Sequence, residues 1–146
     1  MYHHILIPID GSDLSEKAIA HGVALARAHN AKITALHVTA PLRLSTLDSI
    51  TVAREVQQQD VQLDKELALR HLEVAANAAK AAGVPCNTMH AVHDQPYQAI
   101  IDAAKSNRCD LIAMASHGRR GISAIVLGSE TTKVLTHTTI PVLVLR

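Results

Sequence analysis

Ser116-His117-Gly118-Arg119-Arg120-Gly121 places a hydroxyl, an imidazole and two guanidinium groups on a glycine-bearing loop, directly after the apolar run that ends at Ala115. Nine residues separate Gly118 from Gly128, which opens the segment Gly128-Ser129-Glu130-Thr131. If that segment starts a helix, its first backbone N–H groups lack intrahelical partners and carry partial positive charge, which suits a phosphate. Gly128 lets the main chain approach an oxygen without a Cβ in the way. The Ser129 hydroxyl can donate to the same group, Ser116 and His117 can close the other side, and Arg119 and Arg120 can add charge. Taken alone, the same residues could do no more than make turns and cap a helix.

Other chemistries find less support. Ten histidines invite a metal site, but no HExxH occurs, and the close pairs His3-His4 and His90/His93 have no carboxylate or thiol completing a ligand set. Walker A, GxGxxG and GxSxG patterns are absent. With no nucleophile set beside a base, the expectation is binding rather than turnover, no catalytic residue and no metal ligand. For His117, a phosphate contact and an ordinary loop hydrogen bond both stay open.

Composition narrows the classes further. The chain has 146 residues, 48% of them hydrophobic, with two Tyr, no Trp and no Phe, so a core must be built from Ile, Val, Leu and Ala. Near-absence of aromatics disfavours base-stacking platforms, and a formal net charge of +1 gives no broad basic face, so neither nucleic acid nor an anionic membrane is expected. Cys86 and Cys109 form no CxxC pair and read as small buried hydrophobes near strands. The sequence runs from Met1 straight into an apolar strand, without a basic leader or a run of about 20 apolar residues. A cytoplasmic single domain spanning residues 1–146 is the expectation.

The elements that must position the loop are legible as short β-branched runs alternating with longer amphipathic stretches, the pattern of βα units and a parallel sheet. Strands are expected at His4–Ile9, Ile33–Val38, Cys86–Ala91, Asp110–Ala115 and Val142–Leu145. One helix is expected to start with Asp13 as N-cap and Glu16 as its capping-box partner. Others should run from about Asp48 to Ala82, from Asp94-Gln95-Pro96 onward, and from Ser129 to Thr136, with Thr39–Ile50 as a loop. Leu63, Leu67, Val74, Ala78 and Ala81 mark the expected buried stripe of the long helix. Right-handed crossovers then give an α/β fold: a doubly wound, five-stranded parallel sheet of order 3-2-1-4-5 with helices on both faces. A ligand crevice belongs at the carboxyl ends of the first and fourth strands, where Pro8-Ile9-Asp10 meets Ala115-Ser116-His117-Gly118.

Three separated motifs carry a resemblance that covers the whole chain. Ala115-Ser116-His117-Gly118, nine residues, then Gly128-Ser129 resembles the universal stress protein signature of Gly, two residues, Gly, nine residues, Gly, Ser or Thr, with Ala115 in place of the first glycine. Ile5-Leu6-Ile7-Pro8-Ile9-Asp10-Gly11-Ser12 is similar to that family's opening, and Ile140-Pro141-Val142-Leu143-Val144-Leu145 to its ending. The resemblance implies a stress-response protein that binds ATP, with Mg²⁺, as a sensor or signalling module with slow hydrolysis at most. It implies that Asp10 contacts the ribose or adenine side, that Pro8, Ile9 and Val38 line the adenine slot, and that Met114 lies between base and phosphates. Ser116, His117, Gly118, Gly128, Ser129 and Thr131 would take the phosphates beside Ala115. The terminal strand Val142–Leu145, an edge by this topology, would pair with its mate in a homodimer. A same-fold interaction module that binds no nucleotide is the alternative that Ala115 keeps open.

Overall fold

The first strand sets the architecture. β1 (His4–Ile9) alternates Ile5, Ile7 and Ile9 with Leu6, all buried, so both of its faces must be covered. A computed structural model describes residues 1–43, 52–118 and 127–146. In it β1 is followed by α1 (Asp13–His29), β2 (Lys32–Thr39), α2 (Val52–Ala81), β3 (Cys86–Val92), α3 (Pro96–Ser106), β4 (Leu111–Ala115), α4 (Ser129–His137) and β5 (Val142–Leu145). The strands form one parallel sheet in the order β3-β2-β1-β4-β5, as the sequence pattern requires. Ile5, Ile7 and Ile9 join Ile33 and Ala35 under α1 and α2. Leu6 joins Leu36, Ile112 and Met114 under α3 and α4. The expected helix start at Asp48, most of the Thr39–Ile50 loop, and Arg119, Arg120 and Gly121 lie outside the described residues.

Two local expectations are corrected. The N-cap of α1 is Ser12, not Asp13: Gly11 takes φ +77°, Ser12 is extended, and the Ser12 hydroxyl accepts from the Ser15 amide at 3.2 Å. The tight turn at Gly11 starts the helix one residue earlier than a capping box at Asp13 and Glu16 would. In α2 the stripe facing the sheet is Ala68, Leu72, Ala75 and Ala79, whereas Leu63, Val74 and Ala81 are exposed and Leu67 and Ala78 half-buried. Both sets have helical spacing. The sheet selects the face with three alanines because small side chains let the helix axis lie close to β2 and β3. Cys109 is buried as expected, and burial, joined by the Asp110 charge, pushes its thiol up to about 11; Cys86 is only half-buried.

Polar contacts tie the amino end of β1 into this frame. Buried His4 donates from Nδ1 to the Asn107 carbonyl at 2.9 Å, and its Nε2 accepts from the buried Thr34 hydroxyl at 2.8 Å, a full set for a neutral ring. The Asp110 carboxylate accepts from the amides of His3 (2.8 Å) and His4 (3.0 Å) and from the His3 ring (3.1 Å). Burial, then the Lys32 charge, lowers the His4 pKa from 6.5 against the pull of the Asn107 carbonyl and Asp110. For Asp110, partial burial pushes up, but the bonds from His4 and His3 outweigh it and leave the pKa below 3.8.

Both depressed values make the fold lose stability in acid. The His4 contribution is complete above pH 6.5 and is lost as pH falls through 6.5 toward the lower folded value; that of Asp110 is lost below 3.8. Thermal melts across pH should therefore fall in two stages; Asp110→Asn should flatten the second and, by removing a charge that raises the His4 pKa, deepen the first. Leu72→Ala should destabilise by about 2–5 kcal/mol. Val74→Ala should stay within about 0.5 kcal/mol, as measured by urea unfolding.

Candidate functional site

Along β2, β1 stays paired as far as Ile9↔His37, but its ladder with β4 ends at Leu6↔Ile112. Pro8, which has no N–H to give, lies in the part of β1 beyond that point. Where the two central strands part, a cavity of about 570 Å³ opens at their carboxyl ends. Its apolar lining comes from Pro8 and Ile9 on β1, Leu36, Val38 and Ala40 on and after β2, Pro96 and Ile100 on α3, and Met114 and Ala115 on β4. Its polar lining is Asp10, Ser15, Asp94, His117, Gly118, Gly128, Ser129, Glu130 and Thr131.

The two motif segments are stitched together at this cavity. The Gly128 amide donates to the Ser116 carbonyl at 2.7 Å, and the Ser116 amide to the Leu145 carbonyl at 2.7 Å. Buried Thr131 donates its hydroxyl to the Ala115 carbonyl at 3.0 Å, locking α4 against the end of β4. The Ser116 hydroxyl lies 3.1 Å from His117 Nδ1. Ser116 is buried and does not line the cavity; it holds the two ends of the loop together. Pro8, Ile9, Asp10, Val38, Met114, Ala115, His117, Gly118, Gly128, Ser129 and Thr131 do line it.

At the start of α4, Gly128 is the N-cap and supplies no side-chain cap. The first bond of the helix runs from the Thr132 amide to the Gly128 carbonyl, so the amides of Ser129, Glu130 and Thr131 come before any intrahelical partner. Two glycines are there for room rather than for φ. A Cβ on Gly118 would lie 2.5 Å from Asp10 Oδ2, and one on Gly128 would lie 3.0 Å from His117 Cα and 3.3 Å from the Ser116 carbonyl oxygen. Asp10 is set by its own turn: its carboxylate accepts from the Ser12 amide at 3.0 Å, and its amide donates to the Ser15 hydroxyl at 3.2 Å.

Ser15, Leu36, Ala40, Asp94, Pro96, Ile100 and Glu130 complete the lining and were not expected there. Strand periodicity could have found Leu36, which shares a face with Val38. Ser15 sits one turn into the helix that follows Asp10. Glu130 required three dimensions: its carboxylate accepts from the Tyr97 amide at 2.8 Å and from Lys133 at 3.0 Å, so α4 caps α3. Asp94 meets Arg43 at 3.3 Å on the outer rim.

Comparison with known proteins gives this geometry a context. Residues 1–146 match the universal stress protein family over their whole length. The chain belongs to that family. The universal stress protein YxiE of Bacillus subtilis is 34% identical over 149 residues, covering 100% of both chains. A universal stress protein of Thermus aquaticus is 30% identical, again over 100% of both. Among solved structures, MJ0577 of Methanocaldococcus jannaschii superimposes with a TM-score of 0.82 at 28% identity, covering 99% of this chain and 96% of the other. A universal stress protein in complex with cAMP superimposes with a TM-score of 0.74 at 25% identity, covering 99% and 97%.

In this universal stress protein the residue in the first glycine's place, Ala115, ends β4 opposite Leu145 and is not among the residues with positive φ. Its methyl group therefore carries no backbone penalty. Ala115→Gly should leave the fold intact and lower its stability by about 0.5–1 kcal/mol in urea unfolding, the entropic cost of glycine in a strand.

Proposed function

We propose that this protein is a cytoplasmic stress-response module that binds ATP in the cleft between β1 and β4 and acts as a nucleotide-dependent sensor. One observation carries the reading: a single cavity joins an apolar slot, the Asp10 carboxylate at the end of β1 and a helix N-terminus without a side-chain cap. Its volume falls within the roughly 300–1,000 Å³ of small-molecule sites. In this reading the adenine lies against Ile9, Val38 and Met114 beside Pro8. Asp10 accepts from the ribose hydroxyls, and the phosphates meet the amides of Ser129, Glu130 and Thr131 with the Ser129 hydroxyl and His117. The cAMP complex of a relative supports the nucleotide class.

Mg²⁺ fits as a companion of the phosphates rather than as a resident ion. Among the described residues no group of three or more His, Cys, Asp or Glu could hold a metal. Magnesium characteristically keeps several waters and binds through one or two carboxylates plus phosphate oxygens, and Asp10, Asp94 and Glu130 line the same cleft. When bound, it would neutralise phosphate charge beside those carboxylates. We further infer a homodimer through Val142–Leu145: β5 is the last strand of the sheet, paired with β4, and an uncovered edge invites a mate.

A same-fold interaction module with no nucleotide is the second reading. The carboxylates of Asp10, Asp94 and Glu130 in the cleft lining favour it, since they would repel a polyphosphate. Calorimetric titration with ATP and Mg²⁺ separates the two. Saturable heat and a raised Tm are expected, ligand at 100 times Kd stabilising by about 2.7 kcal/mol. Gly128→Val, whose side chain would press on backbone at His117 and Ser116, should weaken binding by at least about tenfold, equivalent to about 1.4 kcal/mol, while circular dichroism stays native. No heat and no stabilisation at millimolar nucleotide would refute the ATP reading and leave the interaction module.

A further inference from the structure

Helix α2 is 30 residues long, about 45 Å at 1.5 Å per residue, roughly twice the span of the seven-residue β3 it covers. From Arg54 to Glu66 no residue is buried. Yet this helix carries Val56, Leu63, Leu67 and Val74 spaced by seven, four and seven positions, one continuous apolar stripe. Val56, Leu63 and Val74 are 50%, 59% and 46% exposed, and Leu67 is half-buried. The sheet takes the Ala68, Leu72, Ala75 and Ala79 face instead, which points more than a quarter-turn away. Single exposed apolar residues are ordinary, but a stripe in heptad register over 19 positions is the pattern of a helix that packs on another helix.

The stripe is also self-complementary. Asp60 and Arg70 occupy the two remaining positions of the same seam, both exposed, and neither joins an ion pair among the described residues. Val56 and Val74, Asp60 and Arg70, and Leu63 and Leu67 are each symmetric about Lys65. Two copies laid antiparallel across that point therefore stack Val56 on Val74, Asp60 on Arg70 and Leu63 on Leu67, twice over. A parallel pairing would set Asp60 on Asp60 and Arg70 on Arg70. One charged layer in an apolar seam fixes register and orientation in this way.

We propose that the Val56–Val74 stripe of α2 is a self-association surface that takes the same stripe of a second copy, antiparallel, with Asp60 and Arg70 as its register pair. Asp64 and Glu66 flank the midpoint, and their repulsion across the dyad keeps the association weak. The surface is separate from the β5 edge and from the cleft, so it stands or falls independently of nucleotide binding and of the edge pairing.

Sedimentation equilibrium at 0.15–0.5 M NaCl tests it on the full chain. The wild type should show an association step that Asp60→Arg and Arg70→Asp each weaken at least tenfold, because each creates two like-charge layers. Mixed in equal amounts, the two variants should recover it, since D60R against R70D restores two opposite-charge layers. Leu63→Glu should abolish it in any mixture. Both charge variants lie on an exposed helix face, so native circular dichroism and unchanged Tm are the expected controls. Equal masses for wild type and both variants, or weakening without recovery on mixing, would overturn the proposal.

Discussion

The β1–β4 ladder ends at Leu6↔Ile112 while β1 continues beside β2 to Ile9↔His37, and this early parting is what the rest of the molecule is arranged around. In a sheet covered on both faces, neighbouring strands are held together by backbone hydrogen bonds and by the helices packed across them. Once the bonds stop, the chain leaving β4 has room to turn outward through Ser116, and α4 can come back to the opening. Asp10, at the end of β1, then faces Gly118 across the gap. Crevice, loop and helix start are consequences of one interrupted ladder.

That arrangement also explains what the spaced glycines are for. Among the described residues the glycines with positive φ are Gly11 and Gly83, neither of them in the signature. Gly118 and Gly128 have ordinary backbone angles and are instead hemmed in, by the Asp10 carboxylate in one case and by the backbone of Ser116 and His117 in the other. Ala115 fits the same logic. Its position ends a strand, asks nothing special of φ, and tolerates a methyl group. A sequence pattern written in glycines is thus a map of close approaches, and a departure matters only where an approach is close.

Strand positions, sheet order and the placing of the cleft were legible in sequence because buried parallel strands are nearly all apolar and a right-handed crossover leaves few alternatives. Most of the cavity lining followed, since Pro8, Ile9, Asp10 and the Met114–Gly118 run are adjacent in sequence to the strand ends. Ser116 was read as a phosphate contact because its hydroxyl suits an anion; that its backbone also ties Gly128 to Leu145 could be seen only in three dimensions. Glu130 was invisible for a different reason: its partner, the Tyr97 amide, is far away in the chain and has no side-chain signature. Ser12 was passed over because Asp13 satisfies the same capping rule one residue later, and only the turn at Gly11 decides between them.

The misreading of α2 is the most instructive, because the helix offers two apolar faces and the wrong one was the more conspicuous. Leucine and valine advertise burial more loudly than alanine. With no Phe or Trp, and with Tyr2 and Tyr97 only partly buried at its margins, however, this core has few large rings to hold its layers apart. A close helix–sheet spacing follows, and at close spacing three alanines and one leucine fill the gap better than larger side chains do. The larger residues are thereby displaced to the far side of the helix. There they retain heptad spacing and a matched pair of opposite charges, a regularity that packing against the sheet does not require and that pairing with a second α2 does.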